Sequence, residues 1–151
     1  MSVMTFIGWS EVETLVARIG KQVRKERWRP GQIVALGRGG MVPARLLADF
    51  LAVKEVELLP IARYKGTKGG RVRLNPGDLT RLHGKVLLVD DICDRGETLR
   101  AATDALDGIR VRTATLHYKS TSTYRPDFTG RLCDGEGWLV YPWEHVESAG
   151  L

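Results

Sequence analysis

Apolar residues recur at helical spacing from Val12 through Leu15, Val16 and Ile19 to Val23, a stripe that predicts an amphipathic helix running to about Glu26. Ser10 and Glu13 have the spacing of a capping box at its start, and Trp28 to Gly31 closes it. The pattern then changes period. IVALG (33–37) is an unbroken apolar run of strand length, Gly37 to Gly40 reads as a tight loop, and Pro43 falls in the first turn of a second helix carrying Leu46, Leu47, Phe50 and Leu51. Strand, loop and helix then repeat. VELLPIAR (56–63) and VLLVD (86–90) read as strands, 97–107 as a helix with Leu99, Ala102 and Leu106 on one face, and 110–118 as a further strand.

Alternation of this kind predicts an α/β fold, a mostly parallel twisted sheet flanked by helices. YRPDFTG and GWLVYPWEH, in the last third, hold turns and aromatics without helical periodicity, so a small C-terminal hood over about 119–145 is expected. YKGTKGGRVRLNPGD has four glycines, a proline and no period, the composition of a flexible excursion, a lid over about 64–78.

With 151 residues, 43% of them hydrophobic, the chain is sized for one domain spanning 1–151. No charged leader with a long apolar run opens it and no window reaches membrane-spanning length, which predicts a cytoplasmic protein with no membrane partner. Cys93 and Cys133 have neither metal-site nor disulfide-framework spacing. The net charge is +5, and from Arg63 to Lys85 seven basic residues face one acid, Asp78, so the rest of the chain is nearly neutral. A single basic loop on a neutral body points to a local anionic ligand and away from nucleic acid.

The chemistry concentrates in VLLVDDICDRGETL (86–99). Ligands of parallel sheets bind beyond the carboxyl ends of strands, so a strand ending at Val89 places Asp90 and Asp91 at that rim. The following turn, Cys93 to Thr98, enters a helix whose free amides and dipole suit a phosphate, with Gly96 allowing close approach. Acids beside a phosphate site fit a ribose 5-phosphate.

This segment resembles the phosphoribosyl pyrophosphate (PRPP) motif of type I phosphoribosyltransferases. Asp90, Asp91, Asp94, Gly96 and Thr98 fall on the motif, while Arg95 stands where a small hydroxyl residue is usual and Glu97 adds an acid. LGRGGMVPARLL (36–47) resembles the pyrophosphate loop of the 6-oxopurine branch, with Gly37, Arg38, Gly39 and Gly40 binding pyrophosphate and, by that resemblance, a cis peptide at Gly37–Arg38. Lys119, followed later by Trp138 and Leu139, comes in the order found in bacterial xanthine-guanine phosphoribosyltransferases.

The resemblance implies transfer of 5-phosphoribosyl from PRPP to N9 of guanine, xanthine or hypoxanthine, as in purine salvage, with Mg²⁺ as cofactor and a homodimer or homotetramer as the assembly. Asp90 and Asp91 would hold the ribose hydroxyls and the metal. Cys93 to Thr98 would bind PRPP, Asp94 would meet purine N7 and assist proton transfer, Lys119 would donate to O6, and Trp138 with Leu139 would frame the base. Two other readings compete: a PRPP- or nucleotide-sensing regulator of RNA or DNA with the same fold, and a receiver-like acid cluster. Lys119 and Trp138 supply base recognition that a PRPP sensor does not need, and the acids come too late in the chain for a receiver. His83, His117 and His145 receive no role, and Trp143 and Glu144 are assigned to structure.

Overall fold

The computed structural model describes residues 3–63, 72–135 and 137–145. A short strand, β1 (Met4–Phe6), precedes helix α1 (Trp9–Lys25), β2 (Gln32–Leu36) and helix α2 (Met41–Leu51). Next come β3 (Glu55–Leu59), β4 (Ala62–Arg63), β5 (Val72–Arg73), the one-turn helix α3 (Pro76–Leu79) and β6 (Lys85–Cys93). Helix α4 (Glu97–Ala105), β7 (Arg110–Lys119), β8 (Phe128–Cys133), β9 (Trp138–Val140) and a 3₁₀ turn at Pro142–Glu144 complete the chain's described elements.

Five strands form one parallel sheet in the order β3-β2-β6-β7-β8. The alternation read from the sequence is realised on its two faces. Ile33, Ala35, Leu87, Val89, Ala114 and Leu116 pack under α1 and α2, which contribute Val12, Leu15, Val16, Ile19, Ala44 and Leu47. On the other face Val34, Leu36, Val86 and Leu88 meet Leu99, Ala102 and Leu106 of α4 and the residue after it. Burial on both faces explains why the central strands are continuously apolar and not alternating.

Several expectations change. Helix α1 starts at Trp9 with Gly8 as N-cap and no side-chain cap, so Ser10 lies inside the first turn, where its carbonyl accepts the Thr14 hydroxyl (3.0 Å). The capping box therefore does not form. VELLPIAR is divided at Pro60, which lacks a ladder donor: Glu55–Leu59 is the sheet edge and Ala62–Arg63 turns away to pair antiparallel with Val72–Arg73. Of the excursion expected over 64–78, residues 64–71 lie outside the described residues, and the remainder holds β5 and α3, whose Asn75 side chain accepts the Gly77 N–H at 3.0 Å.

The hood is also smaller than expected. β8, inside the span assigned to it, is the outer strand of the main sheet, paired with β7 from Ala114↔Phe128 to Lys119↔Cys133. What stands apart is β9, paired parallel with β1 from Met4↔Trp138 to Phe6↔Val140. Two three-residue strands more than 130 positions apart carry too little periodicity to be read from sequence.

Candidate active site

The order β3-β2-β6 reverses the direction in which the chain winds, and the crevice at such a switch point is the usual ligand site of an open α/β sheet. Here the two central strands differ in length. β2 pairs with β6 only as far as Ala35↔Val89, whereas β6 continues beside β7 to Cys93↔Tyr118. Asp90 and Asp91 are therefore not beyond their strand, as the sequence suggested; they lie within it, where one neighbour has ended. That notch opens into a cleft of about 590 Å³ lined by Asp90 to Leu99 and Trp138.

Both acids turn back on their own backbone. Asp90 Oδ1 accepts the Asp91 N–H (2.9 Å) and Asp91 Oδ1 accepts the Ile92 N–H (2.7 Å). Asp91 is only 8% exposed, and burial, reinforced by the negative Glu144, pushes its carboxyl up to about 6 against these hydrogen bonds. The folded chain thus binds the Asp91 proton more tightly than the unfolded chain does. Its stabilising effect is full below the ordinary carboxylate range and is lost as pH rises through about 6. Asp91→Asn is accordingly expected to raise the melting temperature at pH 8, by up to about 3 kcal/mol of stability, with the gain shrinking at pH 5; melting curves at both values check it.

Across the notch stands the loop between β2 and α2. A Cβ on Gly39 would lie 2.7 Å from Asp91 Oδ2, and one on Gly40 would lie 2.1 Å from the Val89 carbonyl. The two glycines let this loop close onto the acids and let α2 start against β6. Gly37 takes a left-handed φ of 54°, and no cis peptide occurs among the described residues, so Gly37–Arg38 is trans, contrary to expectation. Arg38 is exposed at the loop's tip and, with Gly37 to Gly40, lies outside the lining of the acid cleft.

Beyond Cys93 the chain enters α4 through Gly96, an N-cap with φ 88° that has no side chain to occupy the first-turn amides. Those amides and the helix dipole remain for a ligand. Gly96 serves packing more than phosphate access: a Cβ there would meet Tyr124 Cβ at 2.4 Å and Ser122 Oγ at 2.8 Å. The Ser122–Tyr124 turn braces the loop from behind, with the Thr123 N–H and hydroxyl both donating to the Arg95 carbonyl (3.2 and 3.0 Å) and Arg100 donating to the Thr123 carbonyl (2.9 Å). Sequence reasoning missed this brace. Its signal was the hydroxyl-rich STST run, suited to side-chain-to-backbone bonds.

Cys93 is a core residue. Its thiol bonds Ser122 Oγ (3.3 Å) and the Tyr124 carbonyl (3.4 Å), packs on the α4 face, and is pushed above the ordinary thiol value by burial, which makes it inert. Arg95, Glu97 and Asp94 are exposed around the loop, and Thr98 is half-buried in the first turn.

One long-range pair joins the loop to the next strand. Lys119, the last residue of β7 and 8% exposed, places Nζ 3.2 Å from Asp94 Oδ1. A buried ammonium requires such a counter-charge. Trp138, a residue 60% exposed, lines the same cleft, while Leu139 packs against the α1/α2 core and does not line it. Trp143 stacks on Tyr141 at 4.9 Å and Glu144 accepts the Tyr141 N–H at 3.0 Å, a structural role.

Fold and site together define a parallel α/β protein with acids and a phosphate-type helix start at its switch point. The phosphoribosyl transferase domain family matches residues 8–143. The chain belongs to that family and is a phosphoribosyltransferase of the type I fold. It is 27% identical over 138 residues to the xanthine-guanine phosphoribosyltransferase of Chromohalobacter salexigens, covering 91% of this chain and 82% of that one. To the enzyme of the same name from Idiomarina loihiensis it is 24% identical over 143 residues, covering 92% and 86%. The crystal structure of a purine phosphoribosyltransferase from Pyrococcus horikoshii superposes with a TM-score of 0.77 at 25% identity, covering 93% of each chain. Among the described residues no helix is long and apolar enough to cross a membrane.

Proposed function

We propose that the chain transfers the 5-phosphoribosyl group of PRPP to N9 of a 6-oxopurine, releasing pyrophosphate, in purine salvage. The observation that carries this reading is the pair Lys119 Nζ–Asp94 Oδ1 at 3.2 Å beside the exposed Trp138 ring. The ammonium can donate to the purine O6, and the carboxylate beside it lies where it can accept the N7–H proton of the base as N9 attacks. A 6-amino group would instead set donor against donor at Lys119.

In this reading the 5-phosphate sits on the amides of Asp94 to Thr98, and the pyrophosphate on the amides and guanidinium of the Gly37–Gly40 loop. Asp90 and Asp91 hold the ribose hydroxyls and, as carboxylates, stabilise positive charge on the ribosyl ring as its bond to pyrophosphate breaks. Asp94 handles the proton exchanged at the imidazole edge while Lys119 fixes O6, and Trp138 stacks on the base. Asp90 and Asp91 are hard oxygen donors, and Mg²⁺ commonly takes one or two carboxylates together with water and substrate phosphates, so the pair fits it. When bound, the ion supplies charge neutralisation of the leaving pyrophosphate.

Purified protein with PRPP and Mg²⁺ should form nucleotide from one or more of guanine, xanthine and hypoxanthine and none from adenine, followed spectrophotometrically. Folded protein that turns over none of the four, or that uses adenine as well as the others, overturns the reading.

A further inference from the structure

Behind the acid-bearing strand runs a line of buried polar groups that takes no part in the substrate contacts above. Tyr141 and His117 are each 1% exposed. The Tyr141 hydroxyl donates to the main-chain carbonyl of Asp91 at 3.1 Å and lies 2.8 Å from His117 Nδ1. On its far side the imidazole has Nε2 3.5 Å from Glu11 Oε1 on α1, and Arg131 of β8 pairs with the same oxygen at 2.9 Å. Trp143 stacks flat on the Tyr141 ring, and Glu144 holds its N–H.

The protons in this line can be assigned by counting. A phenol has one hydrogen, and a carbonyl only accepts. Since that hydrogen goes to Asp91, the Tyr141 oxygen must accept from His117, which puts the imidazole proton on Nδ1. Burial pushes His117 below its ordinary value, with Arg131 acting in the same direction and the Glu11 hydrogen bond and charge opposing. With Nδ1–H donating to it, the hydroxyl has the Asp91 carbonyl as its acceptor.

The carbonyl it holds lies where orientation matters. β2 no longer pairs with β6 past Val89, so the Asp91 peptide has lost its ladder on that side. The Asp91 carboxylate, meanwhile, bonds the very next N–H. Rotation of that peptide would carry the carboxylate away from Gly39 and the cleft. We propose that Tyr141, oriented by His117, is a positioning residue that fixes the Asp91 peptide and so sets the aim of the Asp91 carboxylate at the sugar-pyrophosphate part of the substrate. This rests on the reading of the cleft as a PRPP site.

Tyr141→Phe keeps the stacked ring and removes only the hydroxyl. Its KM for PRPP is expected to rise about tenfold, the loss of roughly one well-formed buried hydrogen bond, while the KM for the purine, held by Lys119 and Trp138, stays where it was. His117→Asn, whose amide can donate from near the Nδ1 position, should retain most of the PRPP affinity, and His117→Leu should lose it as Tyr141→Phe does. Nitrogen NMR of the wild type should show the His117 proton on Nδ1. Equal rises in both KM values, loss of PRPP affinity in His117→Asn as large as in His117→Leu, or an Nδ1 that carries no proton would each overturn the positioning role. Calorimetric titration with PRPP separates this from the functional reading. If no purine is turned over, that reading fails, yet PRPP binding that is equal in the wild type and Tyr141→Phe still overturns the positioning role; a wild type that binds no PRPP overturns both.

Discussion

Asp94→Asn is expected to leave the fold intact and to lower kcat/KM by about 10²–10⁴, the usual contribution of a positioned acid or base. The side chain of Asp94 is 51% exposed and is absent from both hydrophobic clusters, so its replacement by an isostere removes no packing. What it removes is an ionisable group beside the Lys119 ammonium. An amide can still accept from Lys119 through Oδ1, which keeps that nitrogen partnered, but it can neither take nor give the proton that N7 recognition and N9 attack exchange. Steady-state kinetics with the preferred purine, alongside a melting curve, test this. Activity within tenfold of wild type from a protein of unchanged melting temperature would remove Asp94 from the proton-transfer role.

Gly96→Ala is expected to cost about 3 kcal/mol of stability, combining a left-handed φ of 88° with a Cβ placed 2.4 Å from Tyr124 Cβ. The strain cannot be relieved by a side-chain rotation, because the contact includes the Tyr124 backbone N at 2.8 Å. Either the loop that opens α4 or the Ser122–Tyr124 turn must move, and both frame the phosphate position. PRPP affinity should therefore fall together with stability. Gly37→Ala is the control: its φ of 54° is also left-handed, but nothing lies within 4 Å of the added carbon, so it should cost only about 1 kcal/mol. Denaturant melts of the two variants compare them directly. Equal losses would show that backbone conformation, and not the brace, sets the cost at Gly96.

Much of this was legible because local pattern and tertiary role coincide. Apolar runs at 33–37 and 86–90 could be buried strands only, the stripe from Val12 to Val23 only a helix face, and the DD…D.GET order after a strand had few uses besides a phosphorylated sugar. Lys119 and Trp138 could be singled out through the family resemblance, but nothing local says that an ammonium twenty-five residues further on will reach Asp94. Where local signals competed, the reading failed: the Ser10/Glu13 spacing lost to a helix that begins at Trp9, and the aromatic C-terminal third hid β8, whose partner β7 supplies the pairing that its own six residues do not announce.

The sequence by itself determined the kinds of element, their order, and the acids, glycines and lysine available for chemistry, since these depend on periodicity and residue type within a few positions. Only the tertiary structure decided that β2 stops at the level of Val89 while β6 runs on to Cys93, and with it the notch that holds Asp90 and Asp91. It also decided that Gly96 faces Tyr124, that Asp91 is buried enough to hold its proton up to about 6, and that Tyr141 reaches its carbonyl from fifty residues away with His117 behind the phenol. The physical reason is the same in each case. Burial, strand length against a neighbour and hydrogen bonds across the sheet are properties of pairs distant in the chain, and a local pattern carries no record of its partner.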